Sequence, residues 1–270
     1  MGDLAIQPAD EALRREYREL LKTVSGLIYL RDNMLQNEEP FLTALYLKEV
    51  GGLQYQILVL QMDIKALNLR RTLLQKYINR DETPDLNEID SQLEDFLTEA
   101  EKIINSRKEE LTYSQDYLTH LIVLTKEESE EMKHLYQSLV KRLHPDLNPN
   151  QTDAEKALLL EVIEAYKAGD LDKMRGCFLK LGEETILEKE LGGSLEKEVA
   201  RLRKRARELS GLIDRMNEIF PFIHREHLRD EEWIRTEQEQ LKAEIAELKA
   251  QKETLAEIVS LMEEYESRGL

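Results

Sequence analysis

The sequence has 270 residues, 41% hydrophobic, 34% charged and only 6% aromatic. Eleven glycines and six prolines are too few for a β-sandwich or barrel, which needs a turn signal roughly every 8–12 residues, and too few for Gly/Pro-rich disorder. With 55 acidic against 38 basic residues the formal net charge is −17, a field that repels phosphate backbones and disfavours nucleic-acid binding outside a local basic patch.

The opening Met-Gly-Asp-Leu-Ala-Ile has no apolar stretch behind a basic one, and Ile6 stands where myristoylation wants Ser or Thr. Neither a secretory leader nor that lipid is expected. The longest apolar runs, such as Ile57-Leu58-Val59-Leu60, are far too short to span a bilayer, so no membrane partner is expected. One cysteine, Cys177, cannot form an internal disulfide and points to a reducing, cytoplasmic location.

Leu13, Tyr17, Leu20, Val24, Leu27 and Met34 trace a helical seam, widened by Leu21, Ile28 and Leu35 as in a bundle, and Pro40 is expected to stop it. A second run carries Val50, Leu53, Ile57, Leu60, Ile64, Leu67, Leu74 and Ile78. Inside it, Gly51-Gly52 marks either a kink or a close helix approach. Asp81-Glu-Thr-Pro84 breaks the chain before a third run through Leu93, Leu97, Ala100, Ile104, Leu111, Leu118 and Leu121. Long helices on short loops predict an antiparallel bundle over residues 1–111.

Residues 112–190 differ in character. Thr125-Lys-Glu-Glu128 is a capping box opening a helix with Met132, Leu135, Tyr136, Leu139, Val140 and Leu143 on its apolar face. His144-Pro145-Asp146 stops it, and Pro145 biases His144 out of the helical region, so its ring should project from a turn. After a polar loop, Thr152 or Asp153 can cap a second helix with Ala157, Leu158, Val162, Ala165 and Tyr166 facing back.

From Leu195 the apolar residues Val199, Leu202, Ala206, Leu209, Ile213, Met216 and Phe220 keep a heptad, which resumes after Pro221 through Ile234, Leu241, Ile245, Leu248, Leu255, Val259 and Met262. Residues 194–270 therefore read as an antiparallel coiled-coil hairpin, with Gly192-Gly193-Ser194 as hinge and Ser194 as cap. The expected architecture is all-α: an N-terminal bundle, a central helical hairpin and a C-terminal coiled-coil hairpin.

The stretch Tyr136-Gln-Ser-Leu139-Val-Lys141-Arg142-Leu143-His144-Pro145-Asp146-Leu-Asn148-Pro149 resembles the second helix and loop of the J-domain (DnaJ-like) co-chaperones. Leu159, Val162, Ala165 and Tyr166 fall where that family packs its third helix, and Asp116-Tyr117 through Leu121-Ile-Val123 loosely resembles its first. The resemblance covers about a quarter of the chain. It implies a co-chaperone that docks the His-Pro-Asp loop on a DnaK-type ATPase chaperone and stimulates its ATP hydrolysis, while the helical arms select an unknown client or a location. His144, Pro145 and Asp146 would make the docking loop, and Asp146 would accept a bond from a chaperone arginine. Lys133, Lys141 and Arg142 would form the positive face that steers toward an acidic partner. Tyr136, Leu139, Leu143, Leu159, Val162 and Tyr166 would hold the two helices together. Departures from the family are Gln137, Ser138 and Leu147, where basic residues are usual, and Ile122, where Gly is. No Gly/Phe-rich segment or zinc-binding cysteine set follows.

Other features carry less. The basic run Arg201-Leu-Arg203-Lys204-Arg205-Ala-Arg207 reads as a solvated helix face pairing with nearby Glu, and as an anionic-partner contact only secondarily. Glu131-x-x-His134 lacks the second pair a di-iron site needs, and His224 with His227 lacks a third ligand, so no metal is expected. Trp233 is expected to pack the hairpin tip, and Cys177 to be a small core residue. No phosphate loop and no nucleophile–base set occurs. The chain reads as a non-enzyme without cofactor; its arms could pair two copies as a homo-oligomer. The alternative reading is a coiled-coil scaffold with an inactive J-like segment.

Overall fold

A computed structural model describes residues 8–181 and 195–265, and every regular element among them is helical. The expected Gly192-Gly193-Ser194 hinge lies outside the described residues. Helices α1 (Pro8–Asn33), α2 (Glu39–Tyr46) and α3 (Gly52–Ile78) follow one another through two π turns, Met34–Glu38 and Leu47–Gly51. After them come α4 (Leu86–His120), α5 (Lys126–Leu143), α6 (Asp153–Lys167), α7 (Leu171–Leu181), α8 (Leu195–Asn217) and α9 (Glu231–Glu263). The described residues divide into two compact units, one holding those up to Phe41 with those of 121–223, the other those of 42–120 with those from His224 onward. The division cuts across the linear domains read from the sequence, because α1 belongs with the middle of the chain.

Pro40 does not stop the first helix. The Glu39 amide donates to the Met34 carbonyl five residues back, and Asn33 and Glu39 keep right-handed helical dihedrals. The wider π turn just ahead of Pro40 makes room where a straight α-helix would drive the ring into the preceding carbonyl. At Gly51 the close approach is real: a Cβ there would lie 2.7 Å from Leu111 Cδ2 of α4.

In the second unit α9 lies along α3. Gln238 donates to the Glu49 carbonyl at 2.8 Å, Lys252 meets Asp63 at 2.6 Å, and Arg70 engages Glu263. Partners advance together along both helices, so the pair is parallel. Tyr77 bonds Glu88 at 2.7 Å and Arg107 bonds Gln54 at 3.4 Å, which makes α4 antiparallel to α3. In the first unit α8 packs along α1. The two heptad helices thus take separate partners, α1 for α8 and α3 for α9, in place of the expected hairpin. A heptad fixes an apolar seam without naming what fills it.

Among the described residues of the first unit, a core gathers around α5. Leu21, Val24 and Ile28 of α1 meet Met132 through Leu143 of α5, Val162, Ala165 and Tyr166 of α6, Leu171, Met174 and Cys177 of α7, and Leu202 and Leu209 of α8. Leu139, Val140 and Leu143 are fully buried. Each such leucine contributes about 1.5–3 kcal/mol of burial free energy, enough to hold α5 as the central helix of this unit. Glu131 of α5 takes both ends of the Arg175 guanidinium from α7 at 2.7 Å.

Candidate functional site

The His-Pro-Asp turn is built by its two flanking helices. Thr125 and Glu128 form the expected capping box of α5: the Glu128 amide donates to Thr125 Oγ1 at 3.2 Å, and the Thr125 amide to Glu128 at 2.8 Å. At the other end His144 leaves the helix at φ −74°, ψ 135°, the extended geometry demanded of a residue before proline. Its carbonyl accepts the amides of Leu147 at 2.9 Å and Asn148 at 2.7 Å, closing the turn. The Asn148 side chain donates to the Arg142 carbonyl at 3.2 Å, and the Gln151 side chain to that of Leu143, so two C-terminal carbonyls of α5 are satisfied from the loop. Thr152, and not Asp153, then caps α6, in a box with Glu155.

The packing residues sit behind this turn. Tyr136, Leu139, Leu143, Val162 and Tyr166 are buried in one cluster, and Leu159 is half-buried against it, whereas Ala157 is exposed. Tyr136 and Tyr166 rings lie 4.2 Å apart, each meeting Tyr29 of α1 edge-on at about 6 Å. The Tyr136 hydroxyl donates to Asp32 at 2.6 Å and that of Tyr166 to Asn33 at 2.8 Å. Burial and the Asp32 carboxylate push the Tyr136 phenol well above its ordinary value. Sequence reasoning missed Tyr29, Asp32 and Asn33, which lie about a hundred residues away from the helices they brace.

The turn is covered. Leu147 shares the buried cluster with Leu202 of α8, and the flanking arginines of that helix reach the turn itself. Arg201 donates to the Asp146 carbonyl at 2.7 Å, and Arg205 donates through Nε to the Asp146 carboxylate at 2.7 Å. The Asp146 side chain is 23% exposed and that of His144 13%. Within the turn the Asp146 amide donates to His144 Nδ1 at 3.1 Å, which assigns the imidazole proton to Nε2. Burial holds the His144 pKa below its ordinary value; Arg31 and Arg205 act in the same direction, against the opposing carboxylates of Asp146 and Asp32. The expectation of a ring projecting from the turn is therefore corrected: His144 is held neutral under cover, and Pro145 is the exposed member.

The expected positive face is largely engaged as well. Lys133 places its ammonium 5.4 Å from the centre of the Tyr29 ring, and Arg142 donates to the Leu181 carbonyl at 3.2 Å. Lys141 is half-buried. Asp116 through His120 form the end of α4, in the other unit, and Ile122 and Val123 are exposed non-helical chain. Within its own unit α5 packs on α1, α6 and α7. α7 went unread; its signals were Asp170, whose carboxylate accepts the Lys173 amide at 2.9 Å, and the spacing of Leu171, Met174 and Cys177.

Of the basic run, Arg203 meets Glu16, Arg201 meets Glu198, and Lys204 and Arg205 meet Glu208, the expected pairing with nearby Glu, and Arg201 and Arg205 reach Asp146 besides. His227 stacks on Trp233 at 4.8 Å, and His224 lies between Trp233 and Tyr46. The two histidines are parts of an aromatic stack in which His224 is half-buried and His227 exposed. Cys177 is buried, which raises its thiol pKa. Among the described residues no helix is long and apolar enough to cross a membrane. Comparison of the chain with family models, with curated proteins and with solved structures finds no match in any of the three.

Proposed function

We propose that the chain is a J-domain-like co-chaperone, which docks α5 and the His144-Pro145-Asp146 turn on a DnaK-type ATPase chaperone and stimulates its ATP hydrolysis. One observation carries the reading: the tripeptide forms an ordered turn between two box-capped helices whose Tyr136, Leu139, Leu143, Val162 and Tyr166 share a core. Catalysis belongs to the partner; this chain supplies a carboxylate, a fixed turn and cations. The helical arms select the client or the location, and the single buried Cys177 suits a reducing cytoplasm.

The test is single-turnover ATP hydrolysis by a DnaK-type chaperone with increasing amounts of the full chain. A concentration-dependent acceleration that Asp146→Asn removes, at unchanged circular dichroism, is the expected result. Acceleration that survives Asp146→Asn overturns the reading.

The ion pair between Arg205 and Asp146 favours a second reading, a scaffold in which the J-like segment is inactive. In that case hydrolysis stays at its basal rate whether or not the arginines are present.

A further inference from the structure

We infer that α8 is an autoinhibitory clasp on the docking turn, with Arg201 and Arg205 occupying in cis the acceptors that a chaperone arginine would take. The inference rests on the co-chaperone reading of the turn. Arg201 and Arg205 are four residues apart, hence on one face of α8, and both point at Asp146, one to its carbonyl and one to its carboxylate. Leu202, between them in sequence, is fully buried in the core that also takes Leu147, the residue after Asp146. The apolar contact sets the register and the two guanidiniums close on the turn.

The clasp is not a fortuitous surface pair. Arg201 is itself oriented by Glu198, which accepts from Nε at 2.9 Å and from Nη2 at 2.8 Å, leaving Nη1 for the Asp146 carbonyl. Arg205 is steadied by Glu208 at 3.3 Å. Arg203, pointing elsewhere, ties α8 to Glu16 of α1. An arginine brought by a partner would have to displace Arg205 to form a bidentate bond with Asp146. The Asp146 and Arg205 side chains are 23% and 32% exposed, so the contact is of ordinary surface strength and releasable.

The test compares wild type with the Arg201→Ala/Arg205→Ala double variant in the full chain. By hydrogen exchange, the amides of Asp146, Leu147 and Asn148 should exchange faster in the variant. In single-turnover hydrolysis by a DnaK-type chaperone, the variant should stimulate about fivefold to tenfold more than wild type, and adding Asp146→Asn should abolish the gain. Arg205→Gln, which keeps helix propensity and removes the charge, should give part of the gain and guards against a loss of α8 in the double variant. Unchanged exchange, or equal stimulation by wild type and variant, overturns the clasp and leaves the co-chaperone reading standing. Faster exchange without stimulation by either protein overturns the co-chaperone reading and, with it, the regulatory role of α8.

Discussion

At the scale of single residues, His144 links the turn to pH. Its Nδ1 lone pair takes the Asp146 amide, a bond that only the neutral ring can make. The folded pKa lies below the ordinary 6.5, so below that pH the unfolded chain binds more protons than the folded one. The stabilisation is present above 6.5 and is lost as the pH falls through the lower folded value. Urea denaturation between about pH 5 and 7.5 should show stability declining toward acid, and His144→Gln should flatten part of that decline. Equal slopes for the two proteins would show that the imidazole is not held neutral. Both neighbouring arginines act against protonation, so the cover over the turn and the charge state of His144 are one arrangement.

At the scale of elements, the two adjacent glycines at the start of α3 separate geometry from propensity. Gly52 has helical dihedrals and open space where a Cβ would go, whereas a Cβ on Gly51 would crowd Leu111 and Leu47. Gly52→Ala should raise stability by about 0.5–1 kcal/mol through helix propensity. Gly51→Ala should fall short of that gain by about 1 kcal/mol or more, since neighbours must move. Urea midpoints of the two variants check this, and equal gains would mean that α4 does not press on Gly51. The same contrast explains what could be read in advance. The limits of α5 and α6 were legible because caps and proline act within four residues: Thr125 with Glu128, Pro145 on His144, Thr152 with Glu155. The passage through Pro40 was not, because a π turn compensates a proline without leaving a sequence signature. α7 spans only Leu171–Leu181, too short for its spacing to stand out from the loop around it.

At the scale of the whole molecule, partners are what the sequence conceals. Amphipathic faces on α1, α8 and α9 were plain, but a seam states that something apolar lies opposite and not which helix it is. The His-Pro-Asp turn was legible as a motif, and its cover was not, since Arg201 and Arg205 reach Asp146 from more than fifty residues away. A consequence is that the stretch 112–190 is not self-sufficient. Cut out, it loses Leu21, Val24, Ile28, Leu202 and Leu209 from the core its helices share. A fragment of this size has little surplus burial to lose. By circular dichroism it should melt gradually where the full chain melts cooperatively; a sharp transition would show that α5, α6 and α7 close a core alone.

The order of the helices along the chain also gives the unit a history. α1 leaves the ribosome first, roughly 100 residues ahead of α5, and α8 follows the His-Pro-Asp turn by roughly 60. At about 5–20 residues per second, the growing chain holds the turn for several seconds before Arg201 and Arg205 exist to close over it. During synthesis the protein therefore passes through a stage in which it carries its His-Pro-Asp turn without the helix that covers it.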